Sequence, residues 1–233
     1  MNKKLITLFV LVLLTAVAPV VSAAPTMYLI PDSTTVFRDS SFVIYLFADA
    51  ASLNLKAYSV EITFDRSIIR TDSVHVDEGA FLSSATLPTF FWSGFSPDSA
   101  TLYIDGAILG DGVTVTGNGV LAAITFSTIG FGLSDIELIS VRARDGSNNP
   151  LSFGVENGWV RVCQFVGDVN ADNRIDISDA VYLINWIFAN GPYPIPNAGV
   201  GDVNCDSMTN ISDVVYIINY IFASGPAPCG PCY

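Results

Sequence analysis

Two short segments of the chain repeat the same oxygen-bearing side chains at the same spacing. Counting Asp168 as position one, such side chains stand at positions one, three, five, nine and twelve; these are Asp168, Asn170, Asp172, Asp176 and Asp179. The second copy has Asp202, Asn204, Asp206, Asn210 and Asp213 at these positions. Position seven needs only its backbone carbonyl, which suits residues as unlike as Arg174 and Met208. Because hard divalent cations take about six to eight oxygen ligands, the spacing predicts two Ca²⁺ ions, one in each loop.

Sodium and Mg²⁺ remain alternatives for the ion, and two polar loops that cap helices are the alternative without metal. Position six usually needs glycine for a sharp turn, but it is Asn173 in the first loop and Ser207 in the second. Asparagine tolerates a positive φ better than serine does. The second loop also has one carboxylate fewer, so we expect it to bind its ion more weakly.

The two loops belong to an internal duplication. Residues 167–192 align with residues 201–226 at an offset of 34, with 17 identical positions in 26. Each copy predicts a polar loop followed by a helix, at about 178–189 and 212–223, and each ends in a Gly-Pro pair.

Both predicted helices are apolar on two faces. At 100° per residue one stripe comprises Ile177, Ala180, Val181, Ile184, Ile187 and Phe188, and we expect it to pack the two units together. The opposite face carries aromatic residues, which are Tyr182 and Trp186 in the first copy and Tyr216 and Tyr220 in the second. These aromatics either pack internally against the Gly-Pro segments or form an exposed face that binds a partner.

Residues 25–162 have a different periodicity, in which apolar and polar side chains alternate between turns. The predicted strands are 27–30, 42–47, 58–64, 89–92, 101–104, 120–126, 136–141 and 159–162. Eight or nine short strands in this length predict an antiparallel β-sandwich. Trp92, with Phe90, Phe91 and Phe95, is either core or a strip on which a sugar could stack.

Composition argues against several classes of protein. A net charge of −12 leaves no basic surface for nucleic acid, and a single histidine, His75, disfavours a Ser-His-Asp mechanism. We therefore expect that this protein is not an enzyme. Residues 163–233 contain seven acidic side chains, all at ligand positions of the loops, and one arginine. Residues 1–24 have the charged start, apolar run and small-residue end of an export signal, and no later segment is apolar enough to span a membrane.

Four cysteines in an exported protein are candidates for disulfides: Cys163, Cys205, Cys229 and Cys232. Cys163 precedes the first loop, and Cys229 and Cys232 follow the second helix. The pseudo-twofold pair of units would bring these two ends together, so we expect Cys163 to bond either Cys229 or Cys232. The sequence does not indicate a partner for Cys205.

The duplicated Gly-Asp-Val-Asn-x-Asp loop with its following helix resembles the type I dockerin module over residues 166–228. The resemblance implies that the ten loop side chains and the carbonyls of Arg174 and Met208 bind Ca²⁺, and that the module inserts into a cohesin. The resemblance also implies that the residues that recognise the partner lie just before position twelve and on the helix. In the first copy these are Ile177, Ser178, Asn185 and Trp186, and in the second Ile211, Ser212, Asn219 and Tyr220. The basic residues common on that helix are missing.

The sandwich region resembles a cohesin. The residues that carry this resemblance are 53–57 leading into the strand that ends at Asp65, then 79–81, 119–126 and 158–162. Together the resemblances imply an all-β jelly-roll sandwich of about nine strands in residues 25–162. A small all-α domain of two calcium-binding loop-helix repeats follows in residues 163–233.

The leading hypothesis is a non-catalytic assembly protein, exported to the outside or surface of a bacterium. Its partners would be cohesin or dockerin modules of other proteins, as in polysaccharide-degrading complexes, or further copies of itself. One alternative is a carbohydrate-binding sandwich that a dockerin targets to such a complex. Another is a self-associating adhesion component.

Overall fold

The computed structural model describes residues 24–50, 52–97 and 101–230. The predicted export signal lies outside these residues except for Ala24. Within the described part of the chain, no helix is long and apolar enough to cross a membrane. The strands are β1 Thr26–Ile30, β2 Ser33–Phe37, β3 Ser41–Asp49, β4 Ala57–Phe64, β5 Ile69–Arg70, β6 Val76–Glu78, β7 Thr89–Phe95, β8 Thr101–Ile108, β9 Asn118–Thr128, β10 Gly132–Arg144, β11 Pro150–Leu151, β12 Gly154–Glu156 and β13 Gly158–Cys163. The helices are α1 Ala80–Ser83, α2 Ile177–Ala189 and α3 Ile211–Phe222, with 3₁₀ turns at Ser73–His75 and Ala198–Gly201.

The strands form two sheets. The first has the order β12-β1-β3-β9-β5, with β6 also paired to β9. The second has the order β2-β13-β10-β4-β8-β7, with β11 paired to β10. All pairs are antiparallel except β1 with β12 and β2 with β13. The predicted antiparallel sandwich is confirmed.

All eight strands predicted from alternation are present, and the structure adds five that the sequence analysis did not predict. Four of these, β5, β6, β11 and β12, have only two or three residues, too few to produce a periodic signal. The fifth, β2, follows β1 after a two-residue break at Pro31-Asp32 and joins the opposite sheet.

The core of the sandwich lies between the sheets, where the inward side chains of each strand meet. In the second sheet Val60 pairs with Ile104 and Ile62 with Leu102, and all four are fully buried. Phe126 projects from the first sheet and contacts Phe42 at 5.5 Å and Phe64 at 5.1 Å between ring centroids. Phe64 lies on β4, so this cluster joins the two sheets.

Helices α2 and α3 pack around a separate small core. Its buried residues come from both loops and both helices: Val166, Val169, Ala180, Leu183, Val200, Val203, Val214 and Ile217. The predicted packing stripe is wrong for Ile177, Val181, Ile184 and Phe188, which are exposed. The reason is that Asp179 points inward to its loop, which turns Ala180 and Leu183 into the core and leaves those four residues on the outer side of the helix.

The sandwich contacts the loop-helix region through the turn between β2 and β3. The rings of Phe37 and Phe165 stack with centroids 3.8 Å apart. Beside them the side-chain amide of Asn173, in the first loop, donates to the Asp39 carboxylate at 3.0 Å. The first loop is therefore held by contacts with the sandwich.

Replacing Phe126 by alanine should destabilise the sandwich by about 3 to 5 kcal/mol, because it leaves a cavity where three rings meet. Chemical denaturation monitored by tryptophan fluorescence measures this change. Phe90→Ala is the control, because Phe90 is half exposed and we expect a loss below about 1 kcal/mol. Equal losses in the two variants would contradict the assignment of the core.

Candidate functional site

Each loop is organised by two inward carboxylates that accept backbone N–H groups. In the first loop Asp168 accepts from the amides of Asp172 at 3.1 Å and Asn173 at 2.9 Å. Asp179 accepts from the amides of Val169 and Asp176, both at 2.9 Å. These bonds tie the two ends of the loop to one side chain.

The second loop repeats these backbone hydrogen bonds. Asp202 accepts from the amides of Asp206 at 3.0 Å and Ser207 at 2.9 Å. Asp213 accepts from the amides of Val203 and Asn210, both at 2.9 Å. The position-nine residues, Asp176 and Asn210, cap α2 and α3 by accepting from the amides of Ser178 and Ser212. The duplication in sequence is thus a duplication of loop geometry.

The inward carboxylates are buried without a balancing positive charge. Asp168, Asp179 and Asp213 are inaccessible to solvent, and Asp202 nearly so. None of the ion pairs among the described residues involves a loop carboxylate. Burial raises the pKa of Asp168 and of Asp213, and burial together with the nearby charge of Asp168 raises the pKa of Asp179 to about 7. Such carboxylates favour a bound cation.

The donor set of each loop fits a hard cation. The oxygens Asn170 Oδ1 and Asp168 Oδ1 both accept from the Asp172 amide, so they lie side by side. Asn204 and Asp202 repeat this pairing around the amide of Asp206. In the described part of the chain no three carboxylate, histidine or cysteine groups alone could hold an ion. Amide and backbone oxygens, which are available in both loops, are also ligands in sites for hard cations.

Four loop residues other than glycine adopt positive φ. They are Ala171 and Asn173 in the first loop, at 59° and 66°, and Cys205 and Ser207 in the second, at 58° and 69°. A left-handed residue is thus required at position four as well as at position six. Because this conformation is unfavourable for residues with a Cβ, both loops need support from their surroundings.

Gln164 is a site residue that the sequence analysis missed. Its side chain is buried, and its Nε2 donates to the carboxylate and, at 3.2 Å, to the backbone carbonyl of Asp168. It precedes the first loop and has no counterpart at the matching position of the second copy, which is Ala198. A duplication pattern therefore could not reveal it.

Three of the predicted partner-binding aromatics pack internally. The hydroxyls of Tyr182 and Tyr216 donate to the carbonyls of Tyr193 and Ala227, each at 3.1 Å, and Trp186 contacts Tyr193 edge-on at 5.6 Å. These contacts agree with the alternative of internal packing against the Gly-Pro segments, and all three side chains remain partly exposed. Ser178, Ser212 and Tyr220 are exposed.

The outer faces of the two helices instead carry a repeated apolar stripe. Its members are Ile177, Val181, Ile184 and Phe188 on α2, and Ile211, Val215 and Phe222 at the matching positions on α3. Their exposed fractions range from 38% for Ile184 to 70% for Phe222. Exposure of so many apolar side chains on one small module is typical of a surface that binds another protein.

The disulfide prediction is corrected in part. The structure joins Cys205 to Cys229, with Cα atoms 6.0 Å apart, so the alternative in which Cys163 bonds Cys229 is wrong. The reason is that the segment after α3 folds back to the second loop, where the amide of Cys229 donates to Val203 O at 3.0 Å. Cys163 is also disulfide-bonded. Its other predicted partner, Cys232, lies outside the described residues.

The aromatic cluster on β7 divides between the two sides of the second sheet. Phe91 and Phe95 pack against the core, as the core interpretation predicted. Phe90 and Trp92 lie on the outer side and are about half exposed. A Cβ added to Gly94 would lie 2.5 Å from Trp92 Cζ2, so the indole of Trp92 occupies the space beside Gly94.

Comparisons with known proteins agree with these two regions. Residues 166–222 match the dockerin type I domain family. A type II cohesin domain from the cellulosome of Acetivibrio cellulolyticus has a similar fold, with 11% identity and a TM-score of 0.50, over 59% of this chain and 95% of that one. No curated protein sequence matched the chain.

Two further solved structures cover the same region. A non-cellulosomal cohesin from the archaeon Archaeoglobus fulgidus is 13% identical, with a TM-score of 0.49, over 61% of this chain and 93% of that one. A chain from a type I cohesin–dockerin complex of Clostridium thermocellum is 12% identical, with a TM-score of 0.49, over 60% of this chain and 93% of that one. The chain thus combines a β-sandwich with the fold of a cohesin domain and a following helical region whose residues 166–222 match the dockerin type I domain family.

Without calcium, the helical region should lose stability as the pH rises from 5 to 7.5. The pKa of Asp179 is about 7 in the folded state and about 3.9 in the unfolded state, so the stability it contributes is complete below about pH 4 and lost as the pH rises through 7. Carboxyl groups with a lowered pKa, such as Asp176, are already ionised in this window. We expect a loss of about 2 kcal/mol, measured by thermal unfolding at 222 nm in chelator.

Saturating calcium is the control for this experiment, and it should remove most of the pH dependence. A chelated protein whose helical transition moved to higher temperature between pH 5 and 7.5 would contradict the assignment of the buried carboxylates.

Proposed function

We propose that this chain is an exported, non-catalytic assembly protein. Its dockerin binds one Ca²⁺ in each loop and inserts into a cohesin, and its sandwich receives a dockerin. The observation that carries the proposal is the apolar stripe. The duplication places this stripe on the outer faces of both helices, each of which follows one of the two loops.

Calcium binding is supported by the loops themselves. Their buried carboxylates and amide oxygens match the ligand preference of Ca²⁺, and a bound ion would remove the repulsion among seven acidic side chains in a region with one arginine. The ligands would be the side chains at positions one, three, five, nine and twelve and the carbonyls of Arg174 and Met208. Binding to the folded state alone would stabilise the module.

The duplication supports two equivalent modes of docking. Val181 and Val215 occupy matching positions on α2 and α3, and both are about half exposed. A partner that binds one helix would find nearly the same surface on the other after a rotation of about 180°. Apolar side chains replace the basic residues common in type I dockerins at this face, so the partner should present an apolar surface.

On the sandwich, the outer face of the second sheet is the surface that we assign to an incoming dockerin. It exposes Phe90 and Trp92 on β7 and Ile139 on β10, at the two sides of the four strands β10-β4-β8-β7. Aromatic residues are enriched in protein interfaces. A chain with a sandwich that binds a dockerin and a dockerin that binds a cohesin could assemble head to tail, including with further copies of itself.

Two observations support export, namely the signal-like pattern of residues 1–24 and the disulfide-bonded cysteines. Among the described residues no cysteine is free, and disulfides persist mainly in oxidising compartments. Cohesins and dockerins act by association rather than by catalysis. The chain has a single histidine, His75, which agrees with a role of this kind.

The full chain should bind a cohesin in a calcium-dependent way through its helix stripe. The probes are purified cohesin modules from the same organism and a second copy of this chain, each measured by calorimetry in calcium and in chelator. Val181→Asp together with Val215→Asp should weaken binding at least about thirtyfold, as expected for the loss of a hot spot of roughly 2 kcal/mol. Either single variant should weaken it only about twofold, because the other orientation remains.

Val74→Asp is the matched control, because Val74 is 82% exposed but lies on the sandwich, and it should bind like the wild-type chain. Binding of a cohesin that survived the double substitution, or that did not need calcium, would contradict the proposal.

Carbohydrate binding by the sandwich is the second candidate function, and the position of Trp92 favours it. Its indole lies beside Gly94 on the outer side of the sheet and is about half exposed, so a pyranose ring could reach it for stacking. The polar side chains of Asp105 and Ser59 follow across the neighbouring strands.

If the sandwich binds carbohydrate, Trp92→Ala should reduce retention on insoluble polysaccharide about tenfold. Trp159→Ala is the control, because Trp159 is similarly exposed on the same sheet but four strands away. Failure of the wild-type chain to be retained on cellulose, xylan or chitin would rule out this second candidate for those polymers.

A further inference from the structure

The two repeats differ in how the segment after each helix is attached to its loop. In the second repeat, residues 225–229 form a strap that folds back over α3. The Gly225 amide donates to Asn219 O at 3.0 Å, Tyr216 donates to Ala227 O at 3.1 Å, and the Cys229 amide donates to Val203 O at 3.0 Å. The strap lies beyond the residues that match the dockerin family.

The first repeat makes the same contacts without a covalent bond. The Gly191 amide donates to Asn185 O at 2.8 Å, Tyr182 donates to Tyr193 O at 3.1 Å, and the Ile195 amide donates to Val169 O at 3.1 Å. At the offset of 34, Ile195 corresponds to Cys229 and Ala171 corresponds to Cys205. The disulfide is therefore an addition to a contact that both repeats possess.

The second loop is the one with the greater need for this addition. Cys205 and Ser207 both adopt left-handed backbone conformations, and serine does so less readily than Asn173 in the first loop. The second loop also has Asn210 where the first has Asp176. The sandwich braces the first loop through Asn173 and Asp39, whereas the matching position of the second loop is Ser207, for which no such contact is seen among the described residues.

We infer that the Cys205–Cys229 disulfide is a positioning element that holds the second loop in its ion-binding conformation. Cys205 stands between Asn204 and Asp206, two predicted ligands, and Cys229 Sγ lies 3.5 Å from Asp202 O. Tying Cys205 to the strap restricts the backbone beside three ligands at once. This restriction lowers the conformational cost of binding, which is the general benefit of preorganisation.

The inference rests on the calcium binding proposed above, and the test separates the two. Backbone amide resonances of each loop, followed by NMR in the intact chain during titration with CaCl₂, report the two affinities independently. In Cys205→Ser with Cys229→Ser we expect the affinity of the second loop to fall about tenfold, while that of the first loop is unchanged. Cys205→Gly with Cys229→Ser should recover most of this loss, because glycine adopts positive φ without a steric penalty.

The reciprocal variant keeps the test informative if the serine variant does not fold. Ala171→Cys with Ile195→Cys would install the same bridge in the first repeat, and it should raise the calcium affinity of the first loop several-fold without changing that of the second. Circular dichroism in calcium and mass spectrometry under non-reducing conditions would establish folding and bridge formation.

The outcomes are distinguishable. Failure of both loops of the wild-type chain to bind calcium would overturn the proposed function. Calcium binding by both loops, with an unchanged affinity of the second loop in the serine variant and of the first loop in the reciprocal variant, would overturn this inference alone.

Discussion

The helical region depends on one buried carboxylate at position twelve of each loop. Asp179 and Asp213 are the third residues of α2 and α3, and each accepts amides from both ends of its loop. Because the side chain must point into the loop, it sets the rotation of the helix about its own axis. Ala180 and Leu183 then face the core, and Val181 and Phe188 face solvent.

In the proposed function, the same carboxylates would connect ion binding with recognition. A buried charge requires compensation, and the oxygen donors of each loop suit a cation. Compensation by a bound ion would need no charged side chain on the helix surfaces. The outer faces of both helices carry the apolar stripe, which the duplication repeats.

The sequence predicted the sandwich and its longer strands, but not its shortest strands or the order of the strands in each sheet. Alternation of apolar side chains is a local property, so it identified strands such as β4 and β9 and the predominance of antiparallel pairing. It did not reveal β5 or β12, because two or three residues have no periodicity, nor that β2 joins the opposite sheet from β1. Strand order depends on contacts between distant residues, which the pattern of one strand does not contain.

The sequence by itself determined the matching oxygen-bearing side chains of both loops, the duplication and the alternating strands, because each depends only on residue type and spacing. Only the tertiary structure decided which apolar face of α2 is buried, that Tyr182 and Tyr216 donate to the segments after the helices, and that Cys205 bonds Cys229. A helix with two apolar faces has two plausible rotations, and a cysteine has several possible partners. The choice is made by the packing of the chain around it, through the inward carboxylate of each loop and the segments that fold back over the helices.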